Sequence, residues 1–478
     1  MKNLKIIFSV VLLASLSFAC TKDFQEVNTD PNKIEKISPG TLLNPIIYEG
    51  SSFNTSRSDA FTFDIMQVAL PFPSVSGGVH RYDITESAGN STWNTYYRWI
   101  NNVKEMRAAS IASQDPNYEA IALTLNAWLY SLLSDSFGDV PKSEAVQGDQ
   151  GIYQPVFDTQ EDIYKTIIAD LEKANTLYNT SKPMIFGTDI LYANNVSNWR
   201  KFTNSLRLRL LLRVSKRTEI DAFGKMAEII GNPTTNPVFT SNADAAILKI
   251  TGVVPNVSPW GRAIDFTTFR ASGGFFIDNL NDFVDPRLAK WNSQSRTSDG
   301  KTNTGYKGIP SGYSGPESQF TYLPSNFLVA LATAPMTSVI MTYAEVELIK
   351  AELAQKGKIT GSAATFYQNG VKASVEQWGA VLPANYFSNA KAAYNGTLER
   401  IMLQKYYALF FNDYQQWFEY RRTGFPVLPK GAGQLNNQIV PVRFRYPTTV
   451  VTNNNANYLK AVANMGGDDI NTKVWWEK

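Results

Sequence analysis

Cysteine and histidine are almost absent: the 478-residue chain has one of each. That scarcity excludes a disulfide framework, a Cys/His zinc site and any catalytic dyad built on two histidines. Charge is sparse too, at 18% of residues against about 25% in ordinary domains. The net charge is +3, and without residues 1–19, which hold Lys2 and Lys5 but no acid, 43 basic residues face 42 acidic ones. Such a balance excludes nucleic acid as a partner on electrostatic grounds. There is no Gly-x-Ser-x-Gly elbow, no EF-hand loop and no clean repeat of about 34 residues. What is abundant is apolar and aromatic: 44% and 13% of the chain. Disorder is thereby excluded for the bulk, and the length permits a well-buried core.

The start of the chain has the form of a secretory signal over 1–19: Lys2 and Lys5, an apolar run over 6–16, then small residues. Eleven apolar residues cannot span a bilayer as a helix, which needs about 20. The ending Leu16-Ser17-Phe18-Ala19-Cys20 resembles a bacterial lipobox, in which Cys20 is acylated and becomes the new amino terminus. The plainer alternative is a signal peptide that ends near a chance cysteine, but the chain's sole cysteine falling here favours lipidation. Residues 20–39 are polar and rich in turn formers, including Asn28-Thr29-Asp30-Pro31-Asn32, and form a tether. A single domain over 40–478 follows.

Helical periodicity dominates that domain. Trp93, Tyr96, Tyr97 and Ile100 share a face; Asp158 with Glu161 forms a capping box before Ile163, Ile167 and Leu171. Over 199–213 apolar residues occupy both sides, which predicts a helix buried from two directions, its Arg207 and Arg209 paired with buried acids or carbonyls, with Asp139 or Glu345 as candidate partners. Thr342 with Glu345 makes a second capping box for a helix ended by Gly357, and 397–423 is read as one long helix stopped by Gly424 and Pro426. Asp285-Pro286-Arg287 predicts a turn with a local ion pair. The stretches 232–335 and 431–478 are rich in Asn, Ser, Thr, Gly and Pro, and only 276–283 within them signals a helix. Paired helices bracing an irregular face are the expected architecture.

Several strings, in order, resemble the SusD/RagB family of outer-membrane nutrient-binding lipoproteins of Bacteroidetes, especially its second SusD-like subgroup. They are the NTDPN tether, SFGDVP from Ser136, DTQEDIY from Asp158, WRKFTNSLRLRL from Trp199, DPRL from Asp285 and YKGIP from Tyr306. TYAEVELIKAE from Thr342, QKYYALFFNDYQQWFEYRRTGFP from Gln404, VPVRFRYP from Val440 and TKVWW from Thr472 continue the series. The resemblance implies a mainly α fold, with four tetratricopeptide-like helix pairs as scaffold and a face of loops and short hairpins. It also implies a lipid-anchored, cell-surface protein without enzymatic activity or cofactor, which captures glycan or peptide fragments and passes them to a SusC-like TonB-dependent outer-membrane transporter.

Residue chemistry sets the candidate contacts. Glycan capture needs flat aromatic faces for sugar rings with amides, carboxylates or an arginine for hydroxyls. Three loop stretches offer them: 71–93 with Phe72, Tyr82 and Trp93; 255–276 with Trp260, Arg262 and Phe269; and 306–322 with Tyr313. Trp260, in a Pro-Trp-Gly setting without periodicity, is the strongest of these, whereas Trp93 shares a helical stripe that favours core packing. His80 is expected as a solvated loop side chain. No catalytic or metal-binding residue is assigned. Few charges beside many amides, hydroxyls and rings favour a neutral oligosaccharide over a peptide. The rivals are peptide capture as in the RagB-like members, a surface glycoside hydrolase with two carboxylates about 5–9.5 Å apart, and a helical adaptor for proteins.

Overall fold

Several helix starts in this chain are set by short polar side chains that take up the free N–H groups of a first turn. The structure, a computed structural model, describes residues 37–478; the expected signal segment over 1–19, Cys20 and the expected tether as far as residue 36 lie outside the described residues. Helix α1 (Pro39–Arg57) opens on a proline and runs on into a π turn, Ser58–Thr62. Helix α2 (Asn90–Ala112) carries the Trp93 stripe, and Asp115 caps α3 (Pro116–Phe137) by accepting the Asn117 N–H at 3.1 Å. Nineteen of the 22 residues of α3 are buried, which makes it the centre of the helical scaffold. Helix α4 (Gln160–Leu177) is capped by Thr159, one residue later than expected. The Asp158 carboxylate instead accepts from the N–H groups of Lys142 and Ser143 at 2.7 and 2.8 Å, and so pins that loop beside the helix start.

Helix α5 (Val196–Arg213) has 14 of 18 residues buried, as its two apolar sides require. Helices α6 (Ala222–Gly231), α7 (Gly274–Phe283), α8 (Tyr343–Gln355) and α9 (Ala363–Gln377) follow, α8 with the expected Thr342 cap on Glu345 N–H at 3.0 Å. The last are α10 (Leu398–Ala408), α11 (Gln415–Thr423) and α12 (Asn455–Met465). Consecutive helices pack on one another from α2 to α6, α8 packs on α9, and α5 meets α8 to join the two runs. Six short strands pair antiparallel across long sequence separations: β1 (Ala69–Pro71) with β3 (Arg270–Ser272), β2 (Ala246–Ile250) with β6 (Met336–Met341), and β4 (Arg296–Thr297) with β5 (Tyr322–Leu323). The fold is mainly helical, with loops and short strands between 232 and 335 as the composition there predicts.

Two stretches differ from the sequence reading. The long helix over 397–423 is two, α10 and α11, because Phe411 and Asp413 adopt positive φ (62° and 37°) between them. Phe410 packs in a ring cluster with Phe63 and Trp291, while Phe411 reaches Trp260 and Phe266 as well as Phe63. The carboxy-terminal stretch is not free of helix either: Thr448–Asn453 and α12 form there despite a run of asparagines.

Most arginines that enter the core are paired with acids, since an unpaired one would lose its hydration without return. Arg209 donates to Glu345 at 2.8 Å, whereas Arg207 pairs with Glu172 at 2.9 Å and not with Asp139. Asp285 and Arg287 form the expected local pair at 2.7 Å. Arg422 joins Glu352 at 2.6 Å and Glu419 at 2.7 Å, so it ties α8 to α11 from within.

Candidate functional site

The β1–β3 ladder is where the three aromatic loop stretches converge. Its register sets Pro71 opposite Arg270 and Leu70 opposite Ala271, and the Phe72 N–H donates to the Phe269 carbonyl at 2.9 Å. Phe72 and Phe269 therefore leave the ladder side by side. Phe269 is 76% exposed and sits at φ 57°, a conformation rare for a side chain other than glycine. The third stretch closes against them: the Tyr313 hydroxyl donates to the Pro71 carbonyl at 3.3 Å, and Phe320 lies 5.2 Å from the Tyr313 ring and 6.1 Å from Phe72. Arg81 fastens the group by donating to the Tyr313 carbonyl at 2.8 Å and the Gly433 carbonyl at 3.2 Å.

Beneath the ladder lies a buried charge cluster. Arg270 donates to the carboxylates of Asp59, on the π turn, and of Asp64, the latter at 2.6 Å. Asp59 also accepts the Trp260 Nε1–H at 3.3 Å, so the same acid positions the tryptophan. Burial pushes Asp64 up to about 7 against the opposing pull of Arg270, and raises Asp59 as well. Burial, then the positive charges of Arg81 and Arg270, hold His80 down to about 4, so its imidazole is neutral at neutral pH. Both carboxylates are occupied by Arg270 and Trp260. The exposed chemistry above them is rings, aliphatic side chains and one surface ion pair, Arg262 with Asp265 at 2.6 Å.

The fold gathers six of the seven candidate contacts around this ladder and leaves Trp93 elsewhere. Phe269 and Arg262 are exposed, while Trp260 and Phe72 are half-buried; Trp260 packs at 5.0 Å on Phe266. Tyr313 is mostly covered, with one edge of its ring in the Phe72 and Phe320 cluster. Tyr82 is corrected: it is 2% exposed, its hydroxyl accepts from Gln67 at 3.2 Å, and no ring face is left for a sugar. His80, expected in solvent, is buried because the Val79–Arg81 turn is folded under the 429–435 segment that Arg81 and Gln67 hold. Trp93 packs edge-on against Phe137 and Tyr446, as its helical stripe implies.

Sequence reasoning passed over Phe320, and over Val253, Val254 and Ile264, all strongly exposed on the loop that carries Trp260. Their signal was the same loop setting without periodicity that singled out Trp260. Asp59 and Asp64 carried no signal, since each reads as an ordinary helical acid. Among the described residues no group of three or more His, Cys, Asp or Glu could hold a metal ion, and no helix is long and apolar enough to cross a membrane.

The mainly helical scaffold is shared with known proteins. Residues 31–447 match the second SusD-like family, described as starch-binding and associating with the outer membrane; the chain belongs to that family. Its members are binding proteins. Among solved structures, a SusD homolog from Bacteroides fragilis is 25% identical, with a TM-score of 0.77 over 93% of this chain and 100% of that one. A chitin-binding protein, also 25% identical, has a TM-score of 0.78 over 92% of this chain and 99% of that one. A chitin-binding SusD homolog from Flavobacterium johnsoniae shares the fold at 21% identity, with a TM-score of 0.78 over 91% and 97% of the two chains. No curated protein matches the chain.

Proposed function

We propose that this protein captures a neutral oligosaccharide outside the cell on the face around the β1–β3 ladder, and hands it to a SusC-like TonB-dependent transporter while anchored through lipid on Cys20. The observation that carries the reading is Phe269, an aromatic ring held in water by a left-handed backbone that the ladder fixes in place. A ring so placed, with Phe72 opposite it on the ladder and Trp260 tied through Asp59 to Arg270, offers stacking faces, and the Arg262–Asp265 pair offers hydrogen bonds to hydroxyls. Family membership supports both the glycan and the outer-membrane setting. The apolar side chains of Val253, Val254 and Ile264 favour a second reading, capture of a peptide.

The test is electrophoresis of the mature protein through gels containing soluble starch or glycol chitin, with a parallel assay for new reducing ends and a competition by mixed peptides. Retardation without cleavage, weakened most in Phe269→Ala and less in Trp260→Ala, is the expected result. New reducing ends would move the protein to the hydrolases, and displacement by peptides alone would establish the second reading. Co-purification of a TonB-dependent transporter tests the handover.

A further inference from the structure

Away from the ladder residues a cleft of about 330 Å³ opens between the start of α2, the loop over 141–155 and the short helix Thr448–Asn453. Its walls include Trp93, Tyr97, Tyr153, Pro155, Val450 and Asn453, and among the described residues no charged side chain lines it. The volume falls within the roughly 300–1,000 Å³ typical of small-molecule sites.

The walls are built rather than accidental. The Tyr97 hydroxyl donates to the Pro141 carbonyl at 2.7 Å, and the Trp93 ring lies 4.9 Å from that of Tyr97. Across the mouth, Asn454 donates to the Pro155 carbonyl at 2.7 Å, Gln154 to the Asn453 carbonyl at 2.9 Å and Asn457 to the Gln154 carbonyl at 3.0 Å. These ties hold the two rims together and consume their backbone carbonyls. They leave a particular set of groups unused: the Asn453 side-chain amide, the Thr449 and Tyr153 hydroxyls and the Trp93 Nε1–H have no hydrogen-bond partner among the described residues. Tyr153, 79% exposed, gains nothing from packing where it stands.

Rings on two sides, neutral donors and acceptors at the rim, and no charge together define a ligand chemistry. A charged ligand would enter without a counter-charge and lose its hydration. A wholly apolar one would leave the rim amide and hydroxyls unanswered. A pyranose ring has an apolar face for the exposed Tyr153 ring and a belt of hydroxyls for Asn453 and Thr449. We infer that this cleft is a second saccharide site, taking the end of a neutral oligosaccharide independently of the β1–β3 face. The inference rests on the glycan-binding reading above, and the experiment separates the two.

Titration calorimetry of the full mature chain with maltohexaose and with chitohexaose reads affinity and stoichiometry. The expected result is two sites per chain for one of these sugars. Phe269→Ala should abolish one site, and Tyr153→Ala or Asn453→Ala should weaken the other roughly tenfold, the loss of one stacking ring or one bidentate amide. Both cleft residues are exposed, so neither substitution threatens folding. Binding that Phe269→Ala alone abolishes, with Tyr153→Ala and Asn453→Ala unchanged, overturns the cleft site and leaves the first reading standing. Failure of the unmodified protein to bind either sugar overturns both.

Discussion

Phe269 breaks two preferences at once: three quarters of its surface meets water, and its backbone lies in the left-handed region. For a side chain other than glycine that region costs roughly 1–2 kcal/mol, and nothing the ring touches offsets it. Strain of this kind persists where function requires the geometry. Glycine at the position relieves the strain at a smaller cost in unfolded-chain freedom. Phe269→Gly should therefore leave stability unchanged or raise it by up to about 1 kcal/mol, read as a higher urea midpoint at constant slope, while polysaccharide retention falls. A lower midpoint would mean that the ring is a packing element, and the stacking role would fall with it. Tyr82, at φ 62°, is the contrasting case: its strain supports a buried ring and a hydrogen bond to Gln67. The residue types of the candidate face were readable in the sequence, but not which rings would turn outward. That depended on the register of a ladder joining segments about 200 positions apart.

At the scale of elements, Arg422 is the joint on which α8 and α11 depend. It reaches both oxygens of Glu352, at 2.8 and 2.6 Å, while Lys405 and Arg422 share Glu419 at 2.8 and 2.7 Å. Despite complete burial, the neighbouring Arg422 holds Glu352 down to about 2, and Arg422, Lys405 and Arg213 hold Glu419 well below the usual carboxylate range. Carboxyls depressed in the folded state contribute stability that is fully present above their ordinary value near 4.5 and is lost as pH falls towards 2. Arg422→Met leaves two buried acids short of a cation and should cost about 3–5 kcal/mol at pH 7. It should also shrink the loss of stability between pH 4.5 and 2. Guanidinium unfolding at pH 7, 4 and 3 checks both; equal losses for the wild type and the variant across that range would show that the pairs do not set the acid limit. Local order of this kind was legible: the Thr342 capping box, the Asp285–Arg287 turn and the doubly covered α5 were all readable from periodicity and capping chemistry. The break at 409–414 was not, because α10 and α11 each keep a broad apolar arc and the interruption is made by two backbone angles. Nor was α12, whose asparagines are poor helix formers, Asn457 among them being held by hydrogen bonds from its amide to the carbonyls of Gln154 and Pro155.

For the molecule as a whole, the proposed capture and the proposed attachment fall on different parts of the chain. Every residue proposed to touch a glycan belongs to the compact unit Pro39–Lys478, whereas Cys20 precedes it. A surface protein that feeds a transporter gains from being held near it, since confinement replaces diffusion from bulk with a local concentration set by the tether. One acyl chain gives only marginal membrane affinity, at about 0.8 kcal/mol per buried methylene, and stable attachment takes two or more. Acylation of Cys20 would supply them, and the family's association with the outer membrane fits such an anchor. Cys20→Ala should thus move the protein from the membrane pellet to the soluble fraction and from the detergent to the aqueous phase, with saccharide affinity unchanged by calorimetry. If the variant stays in the detergent phase, attachment lies elsewhere than Cys20. If it is released but binds sugar more weakly, the anchor and the binding unit are coupled, and the division of labour along the chain is wrong.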